Sequence, residues 1–291
     1  MSKHTDATNS VTIGVSTGGR MRKRLAQVGL VVASSAAIVG SLAVPSHAVG
    51  PTAFVTAGND VHYTGNGFAN RVLVTTDLAG TVLLEEPVAG ITAGQGCTAV
   101  STTKVRCAAA ASGAAIDFVL LELGGGFDEA KVQTPVRTTV RGGADNDKYF
   151  GASSTKSTNV TFDGGTGRDG VDYRFSSSGV LVDLDGAADD GRLGKDHDNI
   201  LTSVEDLSGS DHADSLRGSA STNRIFGGLG ADALRGGAGD DELVASESDP
   251  DNPQANQKDL ADLSCGQGSD SITLDIVDPS PAECETVRRI S

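Results

Sequence analysis

A nine-residue period over residues 209–244 constrains this chain more than any other feature of its sequence. The run reads Gly209-Ser-Asp-His-Ala-Asp214-Ser-Leu216-Arg, then Gly218-Ser-Ala-Ser-Thr-Asn223-Arg-Ile225-Phe. Next come Gly227-Gly228-Leu-Gly230-Ala-Asp232-Ala-Leu234-Arg and Gly236-Gly237-Ala-Gly239-Asp-Asp241-Glu-Leu243-Val. An acid, or Asn in its place, falls at 214, 223, 232 and 241, and an apolar residue comes two positions later at 216, 225, 234 and 243. Four units in register point to one short structural unit stacked on itself.

Further units occur singly. Gly164-Gly165-Thr-Gly167-Arg-Asp169-Gly-Val171-Asp is a full match, and Gly142-Gly143-Ala-Asp-Asn-Asp147-Lys-Tyr149-Phe lacks the third Gly. Cys265-Gly266-Gln-Gly268-Ser-Asp270-Ser-Ile272-Thr has Cys in place of the first Gly, and Leu123-Gly124-Gly-Gly126-Phe-Asp128-Glu-Ala130-Lys is the weakest. The step from Asp169 to Asp214 is 45 residues, five periods, so the segment between them is expected to hold degenerate coils of the same stack. The steps 128–147 and 241–270 are not multiples of nine, and loops are expected to bulge there.

The chemistry comes from the pattern. Gly-Gly-x-Gly-x-Asp cannot be regular strand; its glycines permit positive φ and close backbone approach, making a turn that exposes carbonyl oxygens. The next three residues form a short strand with one side chain pointing inward. Two units make one coil, and coils stack ~4.8 Å apart, so turns eighteen residues apart share a column. Asp214 is thereby expected to stack on Asp232, and Asn223 on Asp241. Carboxylates and turn carbonyls then face one gap, which suits Ca²⁺ with its six to eight oxygen ligands better than octahedral Mg²⁺. The Asn223 site lacks one charge and is expected to be weaker, and Asn223→Asp to tighten it. The inward stripe is a thin core, so metal binding should supply part of the folding energy.

Composition agrees. Gly is 38 of 291 residues, roughly twice the usual ~7%, and aromatics are 4% with no Trp. The formal charge is −15, and residues 1–48 hold five of the basic side chains and one acid, so the remainder is more acidic still. Such a surface repels phosphate backbones, which argues against a nucleic-acid partner, and suits cations.

Met21-Arg22-Lys23-Arg24, the uncharged stretch from Leu25 to Val44, and Pro45-Ser46-His47-Ala48 read as a secretory signal peptide over 1–48, with Met21 a plausible true start. No other segment could span a bilayer. The chain is therefore expected to be secreted. Residues 49–122 form a β-rich N-terminal region, with alternating runs at 61–63, 71–74, 81–84 and 118–121, and 123–291 form the repeat region. Four cysteines lie beyond the leader, and an even count in an exported chain reads as disulfides. Of three pairings, the local one is expected, Cys97–Cys107 and Cys265–Cys284, because each pair brackets a short segment. A zinc site is disfavoured, since no CxxC is present and no His falls near a pair.

The Gly-Gly-x-Gly-x-Asp units resemble the RTX, or hemolysin-type, calcium-binding repeat. The full matches are 164–172, 227–235 and 236–244. Other stretches also look like exported actinobacterial members of that group: Gly96-Cys97-Thr, Val105-Arg-Cys107, Val182 to Gly191, Asp198 to Glu205 and Ala282-Glu-Cys284-Glu. The resemblance implies an all-β fold, a parallel β-roll or β-helix solenoid, with calcium at the repeat turns and export. It implies Asp147, Asp169, Asp214, Asp232, Asp241 and Asp270 as ligands, with turn residues Gly165, Gly167, Gly228, Gly230, Gly237 and Gly239. Asn223 and Asp128 sit in units that depart from the pattern.

Other chemistry finds little support. Gly165-Thr-Gly167-Arg-Asp-Gly170 matches GxGxxG, but no helical segment comes after it and the repeat already explains it. There is no HExxH, G-x-S-x-G or P-loop. His62, His197 and His212 are far apart, the last two expected in exposed turns. The cluster Asp183, Asp185, Asp189, Asp190, Asp196 and Asp198 lacks EF-hand spacing and is expected to be a solvated acidic loop. RTX repeats are often appended to proteases or lipases, but the preceding ~75 residues are too few for such a domain. The expectation is a secreted calcium-binding structural or surface protein and not an enzyme. The alternative is an adhesin or inhibitor that binds a protein or glycan through 49–122.

Overall fold

The computed structural model describes residues 50–109, 114–151, 156–245 and 262–290. The expected signal peptide at 1–48 lies outside the described residues. All described regular structure is β: twenty-four strands in three sheets of seven, twelve and five strands. No helix among these residues is long and apolar enough to cross a membrane.

The predicted alternation in 49–122 produces strands at Asp60–Asn66, Arg71–Thr76, Val82–Glu85 and Phe118–Gly125. Apolar residues on one side of each turn inward: Val61 and Tyr63, Val72 and Val74, Val82 and Leu84, and Val119, Leu121 and Leu123 are essentially inaccessible. Several of these strands pair antiparallel, as in Arg71–Thr76 with Val82–Glu85. Parallel pairing joins this region to the repeats. Asp60–Asn66 lies beside Phe118–Gly125, and Arg71–Thr76 lies beside Glu129–Gln133.

The repeats build short strands with one buried residue each. Leu216, Ile225, Leu234 and Leu243 are all buried, in strands three to six residues long. Each such side chain contributes ~1.5–3 kcal/mol by leaving water. The eighteen-residue step is present: Arg224–Phe226 lies parallel between Asp206–Ser208 and Glu242–Val244, and Ser215–Arg217 beside Ala233–Ala238.

The expectation of degenerate coils between Asp169 and Asp214 holds only in part. Strand Gly170–Asp172 pairs directly with Asp206–Ser208, 36 residues on. The intervening chain includes the antiparallel pair Val180–Asp183 and Gly191–Arg192, and the strand Asn199–Ile200, which pairs back onto Val160–Thr166. Val180–Asp183 also pairs parallel with Ser215–Arg217, so the segment supplies one strand of the repeat stack and carries an antiparallel hairpin outside the nine-residue period. The 128–147 step is nearly regular, with Glu129–Gln133 directly beside Lys148–Phe150. Both local disulfides form, Cys97–Cys107 and Cys265–Cys284.

Candidate metal centre

Along the twelve-stranded sheet, the residue just before Glu129–Gln133, Lys148–Phe150, Gly170–Asp172, Arg224–Phe226, Glu242–Val244 and Ser271–Asp275 is the sixth position of a unit. Six units place positive φ at both their second and fourth residues: Gly124/Gly126, Gly143/Asp145, Gly165/Gly167, Gly228/Gly230, Gly237/Gly239 and Gly266/Gly268. At Gly165 (φ 105°) a Cβ would lie 2.3 Å from the Gly143 carbonyl oxygen, so turns pack backbone on backbone with carbonyl oxygens in file. Asp145 takes φ 74° where its unit lacks the third Gly, a conformation that Asp tolerates better than most residues.

The sixth-position side chains form a ladder. Asn70 N–H donates to Asp128 Oδ1 (2.6 Å), Asp128 N–H to Asp147 Oδ1 (2.9 Å) and Asp147 N–H to Asp169 Oδ1 (2.7 Å). Asp169 N–H then donates to Glu205 Oε2 (2.8 Å). Further along, Asn223 N–H donates to Asp241 (2.7 Å), Asp241 N–H to Asp270 (2.7 Å) and Asp270 N–H to Glu285 (2.8 Å). On the other edge Asp214 N–H donates to Asp232 Oδ1 (2.8 Å). The stacking of Asp214 with Asp232 and of Asn223 with Asp241 is therefore present. Its contact is carboxylate to backbone N–H, not carboxylate facing carboxylate.

One oxygen of each carboxylate is committed to that ladder. The Oδ2 atoms of Asp128, Asp147, Asp169, Asp241 and Asp270 are buried and accept no hydrogen bond. Where the unit begins with Gly, the oxygen lies over that residue: a Cβ on Gly164 would sit 2.4 Å from Asp169 Oδ2, and one on Gly236 2.4 Å from Asp241 Oδ2. Burial pushes the Asp147 carboxyl up to about 7 and those of Asp128, Asp169 and Asp241 up to about 6. A buried carboxylate oxygen without a donor is costly unless a cation meets it. Among the described residues no three His, Cys, Asp or Glu side chains gather at one point. A cation here would draw most of its ligands from turn carbonyls, which fits the hard, flexible oxygen shell of Ca²⁺.

Two units differ. At 209–214, Asp214 Oδ1 accepts from Val180 N–H (2.7 Å) and Ser210 Oγ (2.9 Å), and its Oδ2 accepts from Ser210 N–H (2.5 Å). At 218–223, Asn223 Oδ1 accepts from Ser219 N–H (2.8 Å) and Ser219 Oγ (3.2 Å). Its Nδ2 donates to the carbonyls of Val204 (3.1 Å) and Glu205 (3.3 Å). None of Ser210, His212, Ser219 and Ser221 has a positive φ.

One comparison decides what kind of turns these are. Residues 208–243 match the RTX calcium-binding nonapeptide repeat, in four copies. RTX repeats bind Ca²⁺. No curated protein matches the chain. The matched RTX stretch holds Asp214, Asn223, Asp232 and Asp241, whereas Asp128, Asp147, Asp169 and Asp270 lie outside it.

Three ladder members are not evident from sequence. Asp128 belongs to the weakest unit, yet its glycines and carboxylate behave as in a full one. Glu205 and Glu285 lack a glycine turn before them; the signal is the acid directly preceding a short strand, in Glu205-Asp-Leu207 and Glu285-Thr-Val287. The acidic cluster is also corrected, because three of its members are buried and bonded, not solvated. Asp196 pairs with buried Arg192 through two hydrogen bonds (2.7 and 2.9 Å). Asp198 accepts from Val160 N–H and Thr158 Oγ1, and Asp190 from Asp183 and Ile200 N–H. Those contacts pin the inserted hairpin. Asp185 and Asp189 are exposed, as are His197 and His212.

Proposed function

We propose that this is a secreted, non-catalytic calcium-binding protein whose repeat region, 123–291, is a parallel β-solenoid closed by Ca²⁺ at its turns. The β-rich segment 49–122 precedes it, and a signal peptide over 1–48 directs its export. Asp147, Asp169, Asp232, Asp241 and Asp270, joined by Asp128, would hold the ions with carbonyls of the turns through Gly165, Gly167, Gly228, Gly230, Gly237 and Gly239. The observation that carries this reading is the file of buried carboxylate oxygens left without a hydrogen-bond donor above glycine turns. Far-UV circular dichroism and melting of the chain with and without Ca²⁺ test it. β structure and melting temperature should rise over ~0.1–1 mM Ca²⁺, the range of extracellular modules. Identical spectra and melting in EDTA and in millimolar Ca²⁺ would remove it.

A pocket favours the adhesin or inhibitor reading as a second role. It has a volume of ≈ 450 Å³ and is lined by Val72, Leu73, Pro87, Phe150 and Phe175, with Phe175 largely exposed. Apolar walls bordered by Arg71, Glu85, Glu129 and Lys131 are the mix of surfaces that binding pockets use. Loss of surface or glycan attachment in Phe175→Ser, with melting unchanged, would support this role, and unaltered attachment would remove it.

A further inference from the structure

We propose that the two turns at 209–214 and 218–223 are metal-independent clasps, in which a serine side chain does what a cation does elsewhere in the stack. Calcium would then load the turns of Asp128, Asp147, Asp169, Asp232, Asp241 and Asp270, and not those of Asp214 and Asn223. The assignment rests on the calcium reading above and divides the repeats within it.

Two independent features sort the units the same way. Backbone conformation is the first: the six loading turns have positive φ at positions two and four, and the two serine turns at neither. Side-chain bonding is the second: Asp128, Asp147, Asp169, Asp241 and Asp270 each keep one buried oxygen without a donor, while Asp214 and Asn223 have both terminal atoms bonded. The serine device repeats in detail. Ser210 Oγ accepts from His212 N–H and donates to Asp214; Ser219 Oγ accepts from Ser221 N–H and donates to Asn223, with both N–H···Oγ distances 3.1 Å. A hydroxyl has one proton to give, and the backbone N–H two residues on orients it toward the sixth-position side chain. At Asp214 the hydroxyl and two backbone N–H groups saturate the carboxylate. At Asn223 the side chain is neutral, so no counter-charge is needed. The best-matching part of the sequence thus contains the turns least in need of calcium, and the loading turns of Asp128, Asp147 and Asp169 are direct neighbours outside it.

Calcium stoichiometry by titration calorimetry and melting in EDTA, both on the full chain, test the division. Asp214→Asn should keep the wild-type number of ions, and Asp147→Asn should lose at least one. Ser210→Ala with Ser219→Ala should leave the number unchanged and raise the unfolding constant in EDTA by about tenfold per serine. If the double variant does not fold, each serine is replaced singly. Loss of an ion in Asp214→Asn, or serine variants that melt like the wild type in EDTA, would overturn the clasps. A wild-type chain that takes up no calcium would instead overturn the proposed function, while the EDTA melts still report on the serines.

Discussion

The turns at 164–169 and 209–214 begin with Gly and end with Asp, and each buries that carboxylate. They satisfy it in opposite ways. In the first, glycines at 165 and 167 bend the backbone into the left-handed region, carbonyls line up, and one oxygen of Asp169 is left without a donor. In the second, Ser210 and His212 stay out of the left-handed region, and the serine closes on Asp214 from within. On the proposed reading, two residues per turn decide whether a carboxylate serves as a ligand or as a structural acceptor. The first design would be completed by an ion, and the second by its own serine.

The largest expected effect sets one substitution against the other. Gly165→Ala forces a Cβ into the Gly143 carbonyl and a non-glycine residue into φ 105°. It should cost more than about 3 kcal/mol in urea unfolding. Ser210→Ala removes hydrogen bonds and adds no clash, and should cost ~1–2 kcal/mol. A serine variant more damaging than the glycine one would break the comparison.

The ends of the ladder come next. Cys265–Cys284 ties the turn before Asp270 to the segment that delivers Glu285, whose carboxylate accepts the Asp270 N–H. Cys97–Cys107 joins strands already paired as Cys97–Ala99 and Lys104–Cys107. Replacing Cys265 and Cys284 by Ser should cost ~2–4 kcal/mol, and more than the same change at Cys97 and Cys107, because both pairs lie beside backbone pairing but Cys265–Cys284 closes the longer loop, a separation of 19 residues against 10. Denaturant midpoints of the two double variants decide this; a larger loss at Cys97 and Cys107 would contradict it.

Much of this was legible in the sequence, for physical reasons that also mark the limit. A period of nine with one apolar residue fixes the buried positions, and Leu216, Ile225, Leu234 and Leu243 occupy them. Cysteines bracketing short segments pair as their spacing suggests. Spacing does not show which atom a carboxylate meets. The ladder to backbone N–H groups needs coordinates, as does the entry of Glu205 and Glu285, whose extra methylene reaches the same N–H without a glycine turn. Asp145 is hidden because a left-handed φ is a backbone demand that residues other than Gly can meet. The hairpin after Asp172 passes for coils of the stack because 45 happens to be a multiple of nine.

Acidity bears on the loading turns more gently. Burial raises Asp128, Asp169 and Asp241 to about 6 and Asp147 to about 7, from ~3.9 in an unfolded chain. Carboxyls whose folded values are raised favour the fold fully below ~4, and that contribution is lost as pH rises through 6–7. In EDTA the melting temperature should therefore rise on going from pH 7.5 to 5. Calcium competes with those protons, so the gain from added Ca²⁺ should shrink over the same interval. Asp147→Asn should flatten both trends, and unchanged slopes in that variant would detach Asp147 from them.

The smallest effect concerns Asn223, where the sequence alone favours an exchange to Asp that tightens calcium binding. The clasp proposed above reverses that expectation. Asn223 Nδ2 donates to the carbonyls of Val204 and Glu205, and the Glu205 carbonyl also accepts from the Arg224 N–H. A carboxylate at 223 would present an acceptor to both carbonyls and take the Nδ2 donor away from Val204, at ~1–3 kcal/mol. The Ser219 hydroxyl and N–H would still hold its other oxygen, so the turn would remain closed. Asn223→Asp should therefore melt lower in EDTA, with calcium stoichiometry and affinity unchanged. Asn223→Ser, which keeps a donor but shortens the reach, should lie between the two. An Asn223→Asp variant that gains an ion would place this turn among those that load calcium, and leave Ser210 as the single clasp.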